Sequence, residues 1–278
     1  MQSNVSRRRL LTGGSLGVLA SLAGCLATGR GETETVTETY ETDGVGAVSL
    51  STESGSITVE GGQGDAVEVR GHKAAPTEDT LESVTIETSR DGDRLVVEGR
   101  QGDEPPFLFG PDPKLDLEVT IPAGVRLARA ATTNGDIDVR EVTGELAAET
   151  TNGDIDVRGV DGGLVAESTN GSIRATGVSG DVHAETTNGS IDVTLADGDS
   201  DGDLFAESTN GDVTVLAPDS LDAIVSAATT NGDVSVEGID GVNVSSDDSV
   251  DVTLGDGTRS VRVETTNGDV TVRSESDG

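Results

Sequence analysis

The chain of 278 residues has one cysteine, one tyrosine, three phenylalanines and no tryptophan. A lone Cys25 excludes any intramolecular disulfide, so packing and ions must carry the stability. An aromatic content of 1% excludes a bulky core and leaves few ring platforms of the kind that bind sugars: Tyr40, Phe107, Phe109 and Phe205. Histidines number two, His72 and His183, and they lie in different segments, so no zinc spacing and no histidine-centred catalytic set is present. There is no Gly-x-Ser-x-Gly elbow, no phosphate loop and no helical periodicity of useful length beyond the first residues. No catalytic residue is nominated, and the chain reads as a non-enzyme. Carboxylates abound, but their abundance removes their diagnostic value for a lyase- or hydrolase-type β-helix.

Positive charge is also scarce. The formal net charge is −34, and only Lys73 and Lys114 are lysines. Such a surface repels nucleic acid, which is excluded as a partner, and suits molar salt, where self-repulsion is screened over roughly 3 Å.

What is abundant is a repeat. A Thr/Ser-Thr-Asn-Gly turn recurs with asparagines at 134, 152, 170, 188, 210, 231 and 267, in steps of 18, 18, 18, 22, 21 and 36 residues. The last step holds a worn unit at Asp247-Asp248-Ser249-Val250. Aliphatic or small residues fall six and four places before each asparagine and three and five after it, for example Ala148 before Asn152 and Ile155 after it. Strict alternation gives strands with one buried and one wet face. An Asn-Gly pair between such strands is also the cue for a hairpin, so an antiparallel meander or sandwich fits the pattern locally. A single meander leaves its apolar face uncovered and no helix is available to cover it. Stacked two-strand rungs bury both faces, so the expected fold is all-β, a parallel β-solenoid of 18–22-residue repeats. In such a stack the asparagine amides bond along the axis, glycine supplies a left-handed corner, and Asp136, Asp154, Asp212, Asp233 and Asp269 form a carboxylate row broken by Ser172 and Ser190.

Four segments follow from composition. Residues 1–25 read as an export signal: Arg7 and Arg8 resemble a twin-arginine motif, and Leu22-Ala23-Gly24-Cys25 resembles a lipoprotein box that leaves Cys25 as the lipidated N-terminus. Residues 26–43, rich in Thr and Glu, read as a solvated tether. Residues 44–128 read as an N-terminal β region in which Ser54-Gly55-Ser56-Ile57 matches the repeat turn, and 129–275 as the array. The expected partners are a membrane, through lipid on Cys25, and envelope or surface proteins. The expected location is the outer face of the cytoplasmic membrane.

Two local patterns carry chemistry. Asp197, Asp199 and Asp201 begin a calcium-like loop, with glycine at the sixth place and Leu204 at the eighth, but Ser208 stands where the bidentate glutamate belongs. No cofactor is otherwise implied. Asn170, Asn188 and Asn243 each open an Asn-x-Ser glycosylation pattern.

The Gly-Asp-Ile-Asp-Val and Gly-Ser-Ile units, the segment Leu117-Glu118-Val119-Thr120-Ile121-Pro122-Ala123-Gly124-Val125 and the export signal together resemble the DUF4097 putative-adhesin family over about residues 45–275. That resemblance implies a β-helix-like exported or surface protein without established chemistry. The acidity points separately to an extreme halophile, of archaeal source, and the Cys25 box to a lipoprotein.

Overall fold

The computed structural model describes residues 31–102, 111–195, 202–239 and 241–274. Along the chain lie β1 (Glu32–Glu41), β2 (Ala47–Ser54), β3 (Ile57–Gly62), β4 (Ala66–Ala75), α1 (Glu78–Ser83), β5 (Thr85–Asp91), β6 (Arg94–Arg100) and β7 (Lys114–Pro122). The repeats supply β8 (Arg126–Asn134), β9 (Ile137–Thr143), β10 (Leu146–Asn152), β11 (Ile155–Asp161), β12 (Leu164–Asn170), β13 (Ile173–Val178), β14 (Val182–Asn188) and β15 (Ile191–Thr194). Then come β16 (Leu204–Asn210), β17 (Val213–Ala217), β18 (Ala223–Asn231), β19 (Val234–Ile239), β20 (Val242–Ser246), β21 (Ser249–Leu254), β22 (Arg259–Asn267) and β23 (Val270–Ser274).

Each repeat from β8 to β19, and β22 with β23, is a rung of two strands joined at an Asn-Gly corner, and the rungs stack into two facing sheets. The first sheet has 12 strands, in the order β1-β4-β7-β3-β9-β11-β13-β15-β17-β23-β19-β20. The second has 11, β21-β18-β22-β16-β14-β12-β10-β8-β2-β6-β5. Neighbouring repeats pair in parallel and in register, as in Ile155↔Ile173 and Asn152↔Asn170. The fold is the parallel β-solenoid, and the meander is excluded. Its core is the seam between the sheets, where Leu146 and Ala148 of one strand and Ile155 and Val157 of the next are buried. Each of the larger of these side chains, Leu146, Ile155 and Val157, contributes about 1.5–3 kcal/mol on burial.

Four features depart from the expectations. Residues 32–41 of the expected tether form β1, paired antiparallel with β4 along its whole length. Threonine, valine and tyrosine favour a pleated surface, Tyr40 packs on the core, and Lys73 bonds Glu34 at 2.9 Å, so the acidic run is held as an edge.

Nor does the array begin at 129. β2 pairs in parallel with both β6 and β8, and β3 with both β7 and β9, so the two strands around the matching turn at Ser54 build a full rung inside the stack, and the N-terminal β region continues the same two sheets.

The worn unit near Asp248 is no rung. Ser249–Leu254 runs antiparallel to β18, and β20 runs antiparallel to β19. Antiparallel strands close the other end as well, where β5 pairs β6 and β4 pairs β7.

Finally, the glycine of the corner is needed for space as well as for its positive φ, which is 156° at Gly153 and 148° at Gly268. A Cβ on Gly153 would lie 2.0 Å from the Gly135 carbonyl oxygen of the neighbouring rung.

Candidate functional site

The corners build a continuous polar spine. Asn152 Nδ2 donates to Asn134 Oδ1 at 2.9 Å, and the chain of amides continues through Asn170, Asn188, Asn210, Asn267 and Asn231. The second proton of most of these amides points to a threonine carbonyl of the next rung, as Asn170 does to Thr151 O at 3.4 Å. The aspartates after the corner form the expected row, and Asp136, Asp154, Asp212 and Asp269 do more than sit there. Asp136 Oδ1 accepts from the Asp154 N–H at 2.9 Å and Asp154 Oδ1 from the Ser172 N–H at 2.7 Å, so the carboxylates tie rung to rung. Two places before each asparagine a Thr or Ser is buried and donates its hydroxyl to a glycine carbonyl next door. Thr150 to Gly135 is 3.0 Å and Ser208 to Gly189 is 2.9 Å. The alternation predicts that this position points inward, but its hydroxyl suggests a wet site; the carbonyl one rung away resolves the conflict.

Outside the spine, the outer face of the second sheet forms a groove of about 650 Å³ lined by Arg129, Glu149, Glu167, Glu185, Glu207 and a row of threonines. The parallel register sets Glu149, Glu167, Glu185, Glu207 and Glu264 directly side by side on successive strands. Like charges so placed repel, modestly in water and less in salt. Arg129 pairs with Glu149 at 2.8 Å, His183 with Glu185 at 3.0 Å, and Arg262 with Glu264. Beside this row runs a second column of Ala147, Val165, His183 and Phe205, with Val165 41% exposed and the His183 and Phe205 rings stacked 4.8 Å apart. Both columns were legible as fixed offsets from the asparagines, but a single sequence offers nothing that singles them out from the general acidity.

His183 points outward, as the alternation requires. His72 also lies on an outer face, 3.1 Å from Thr35 Oγ1 and 3.3 Å from Glu118. The two histidines are on different sheets and do not meet. Tyr40, the single tyrosine, has its phenol pushed up above the usual range by burial and by its hydrogen bond to Glu38.

Of the residues singled out by sequence, Arg7, Arg8, Cys25, Asp197, Asp199 and Asp201 lie outside the described residues. Among the described residues no group of three or more His, Cys, Asp or Glu is arranged to hold a metal ion. Asn170 and Asn188 donate through Nδ2 into the spine, while Asn243 is exposed on β20 and accepts from the Gly238 N–H at 3.2 Å.

The family model described as Toastrack DUF4097 matches residues 160–273, a narrower span than the resemblance read from the sequence. Among solved structures, a "putative cell adhesion protein" from Clostridium sporogenes is 14% identical, with a TM-score of 0.37 over 88% of this chain and 100% of that one. A "putative adhesin" from Bacteroides fragilis is 14% identical, with a TM-score of 0.47 over 86% of this chain and 96% of that one. A "putative lipid binding protein" from Parabacteroides distasonis is 14% identical, with a TM-score of 0.34 over 85% and 96%. No curated protein matches the sequence.

Proposed function

We propose that the chain is an exported lipoprotein, anchored through lipid on Cys25 to the outer face of the cytoplasmic membrane, whose rod-like solenoid acts as a structural or adhesive element without catalysis. What supports this reading is the uniformity of the outer surface. The Asn, Asp, Glu and Thr columns repeat rung after rung, a design that presents a long surface and, among the described residues, gives no single place where unlike groups converge on one reacting atom. Strand β1 is the edge strand at one end of the stack, so a tether from Cys25 enters there and the array extends away from it. Twelve strands at the usual spacing give a rod about 50 Å long. The acidic surface fits a salt-rich exterior.

The test is to express the full chain and its Cys25→Ser variant and to treat intact cells with protease. The reading expects the wild-type chain in the membrane fraction, degraded from outside, and the variant released to the medium. A chain protected inside the cell overturns it.

A second reading, calcium binding by Asp197, Asp199 and Asp201, is favoured by their place in the chain. They lie between buried Leu195 and Leu204, ahead of a corner where Asp181 and Asp203 already accept main-chain N–H groups. A calcium titration of the full chain against the Asp199→Ala/Asp201→Ala variant tests it; equal response of both sinks it.

A further inference from the structure

The two ends of the rod are finished differently. At the end near β1 the sheet edges are charged: β1 carries Glu32, Glu34, Glu38 and Glu41, and β5 carries Glu87, Arg90 and Asp91. Between them helix α1, capped by Thr77, crosses from sheet to sheet with Leu81 buried. Charged edges are the usual defence against pairing with another chain. The far end has less of it. Strand β21 carries Asp251, and β20 carries no ionisable side chain in Val242-Asn243-Val244-Ser245-Ser246.

β20 is also incompletely covered. Val244 stands opposite the fully buried Val236, which puts it on the inward side of the sheet, yet it is 44% exposed. Its other long edge has no partner strand among the described residues. An uncharged edge in a chain of net charge −34, with an inward-facing valine left open, is an incomplete end of the stack.

We infer that β20 is a self-association surface, occupied by β20 of a second copy in antiparallel pairing about a two-fold axis. The partner is chosen by three observations. An uncharged strand is matched without charge burial by another uncharged strand. Antiparallel addition continues the pairing already made by β19 with β20. The two-fold operation closes, so it yields a dimer and no fibre. The same operation sets the two β1 strands at opposite ends of an assembly about 100 Å long. For this consequence the inference rests on the anchoring proposed above: copies held at their β1 ends on two apposed membranes would meet tip to tip.

The experiment is sedimentation velocity on the full chain carrying Cys25→Ser, over a range of concentrations in molar and in low salt. The expected result is a reversible dimer that strengthens with salt, because screening relieves repulsion between two acidic rods. Val244→Lys and Ser245→Glu, which place charge on the two sides of the same edge, should each weaken it about tenfold or more. Val165→Lys, on the outer face of the array, should leave it unchanged, and circular dichroism checks that each variant is folded. A monomer at every concentration in molar salt overturns the inference, as does a dimer indifferent to both edge variants or one equally sensitive to Val165→Lys. The lipidated wild-type chain on synthetic vesicles should tether them, and Val244→Lys should abolish this. If Cys25 proved unlipidated in cells, the anchoring would fall while the solution dimer remained, so the two failures are separable.

Discussion

Asn267 donates from Nδ2 to Asn210 Oδ1 at 2.9 Å across 57 residues of chain, and Asn231, the next turn asparagine after Asn210, bonds to Asn267 instead. The last rung in sequence, β22 with β23, is therefore wedged between the rung of β16 and β17 and that of β18 and β19. The same exchange occurs at the other end, where β2 and β3 lie between β6 and β7 on one side and β8 and β9 on the other.

Removal of the final rung should thus be far more damaging than loss of a terminal repeat in a sequentially ordered solenoid. A chain ending at residue 258 loses the neighbour of four strands and uncovers Val213, Val215, Val234 and Val236, which are all buried. Thermal melts should show loss of the cooperative transition of the C-terminal third. An unaltered melt would contradict the wedged position.

Along the spine, cost should depend on place. Asn170→Ala removes its bond to Asn152 and the one from Asn188, so roughly 1–3 kcal/mol should be lost. Asn134→Ala, at the end of the series, removes only the bond from Asn152 and should cost less. Urea titration of both variants measures the difference, and equal costs would argue against a cooperative row.

Glycine positions should respond in opposite directions. Gly153→Ala drives a methyl into the Gly135 carbonyl and should cost roughly 3 kcal/mol or more. Glu141 has φ of 55°, where the matching residues of other repeats are Gly159, Gly177 and Gly238 at 70°, 67° and 73°. Glu141→Gly should therefore stabilise by about 1 kcal/mol, read from the shift in urea midpoint.

The response to alkali turns on Tyr40. Its folded pKa is raised, so the native state holds the phenolic proton more tightly than the unfolded chain does. Stability from this group is complete below the unfolded value of about 10 and declines as pH rises through and beyond it. Melts of the wild type should fall above about pH 10, and Tyr40→Phe should flatten that decline. An identical slope in both chains would remove Tyr40 as the cause.

The columns, the parallel stacking and the asparagine spine were legible because they are local: each rung repeats the same offsets from its own turn, as Ile155 and Ile173 do from Asn152 and Asn170. Rung order was not. The turn at Asn267 carries the same signature as the turn at Asn231, so sequence cannot say which stacks on Asn210; the capping of β18 by antiparallel β21 decides it by occupying the other side. Strand β1 was missed because a Thr/Glu run has the composition of a linker, and only the pairing of Glu34 with Lys73 and of Tyr40 with the core marks it as an edge. The corner glycine was legible by its positive φ, while the second reason for it, a neighbouring carbonyl, lies in no single repeat.

The most direct test of the account is mass spectrometry of the N-terminus of the protein taken from its own cell membranes. The expected result is a mature chain that begins at Cys25 and carries a lipid mass on that residue. A chain that retains residues 1–24, or one cut elsewhere and free of lipid, would contradict the anchored rod on which the proposed function stands.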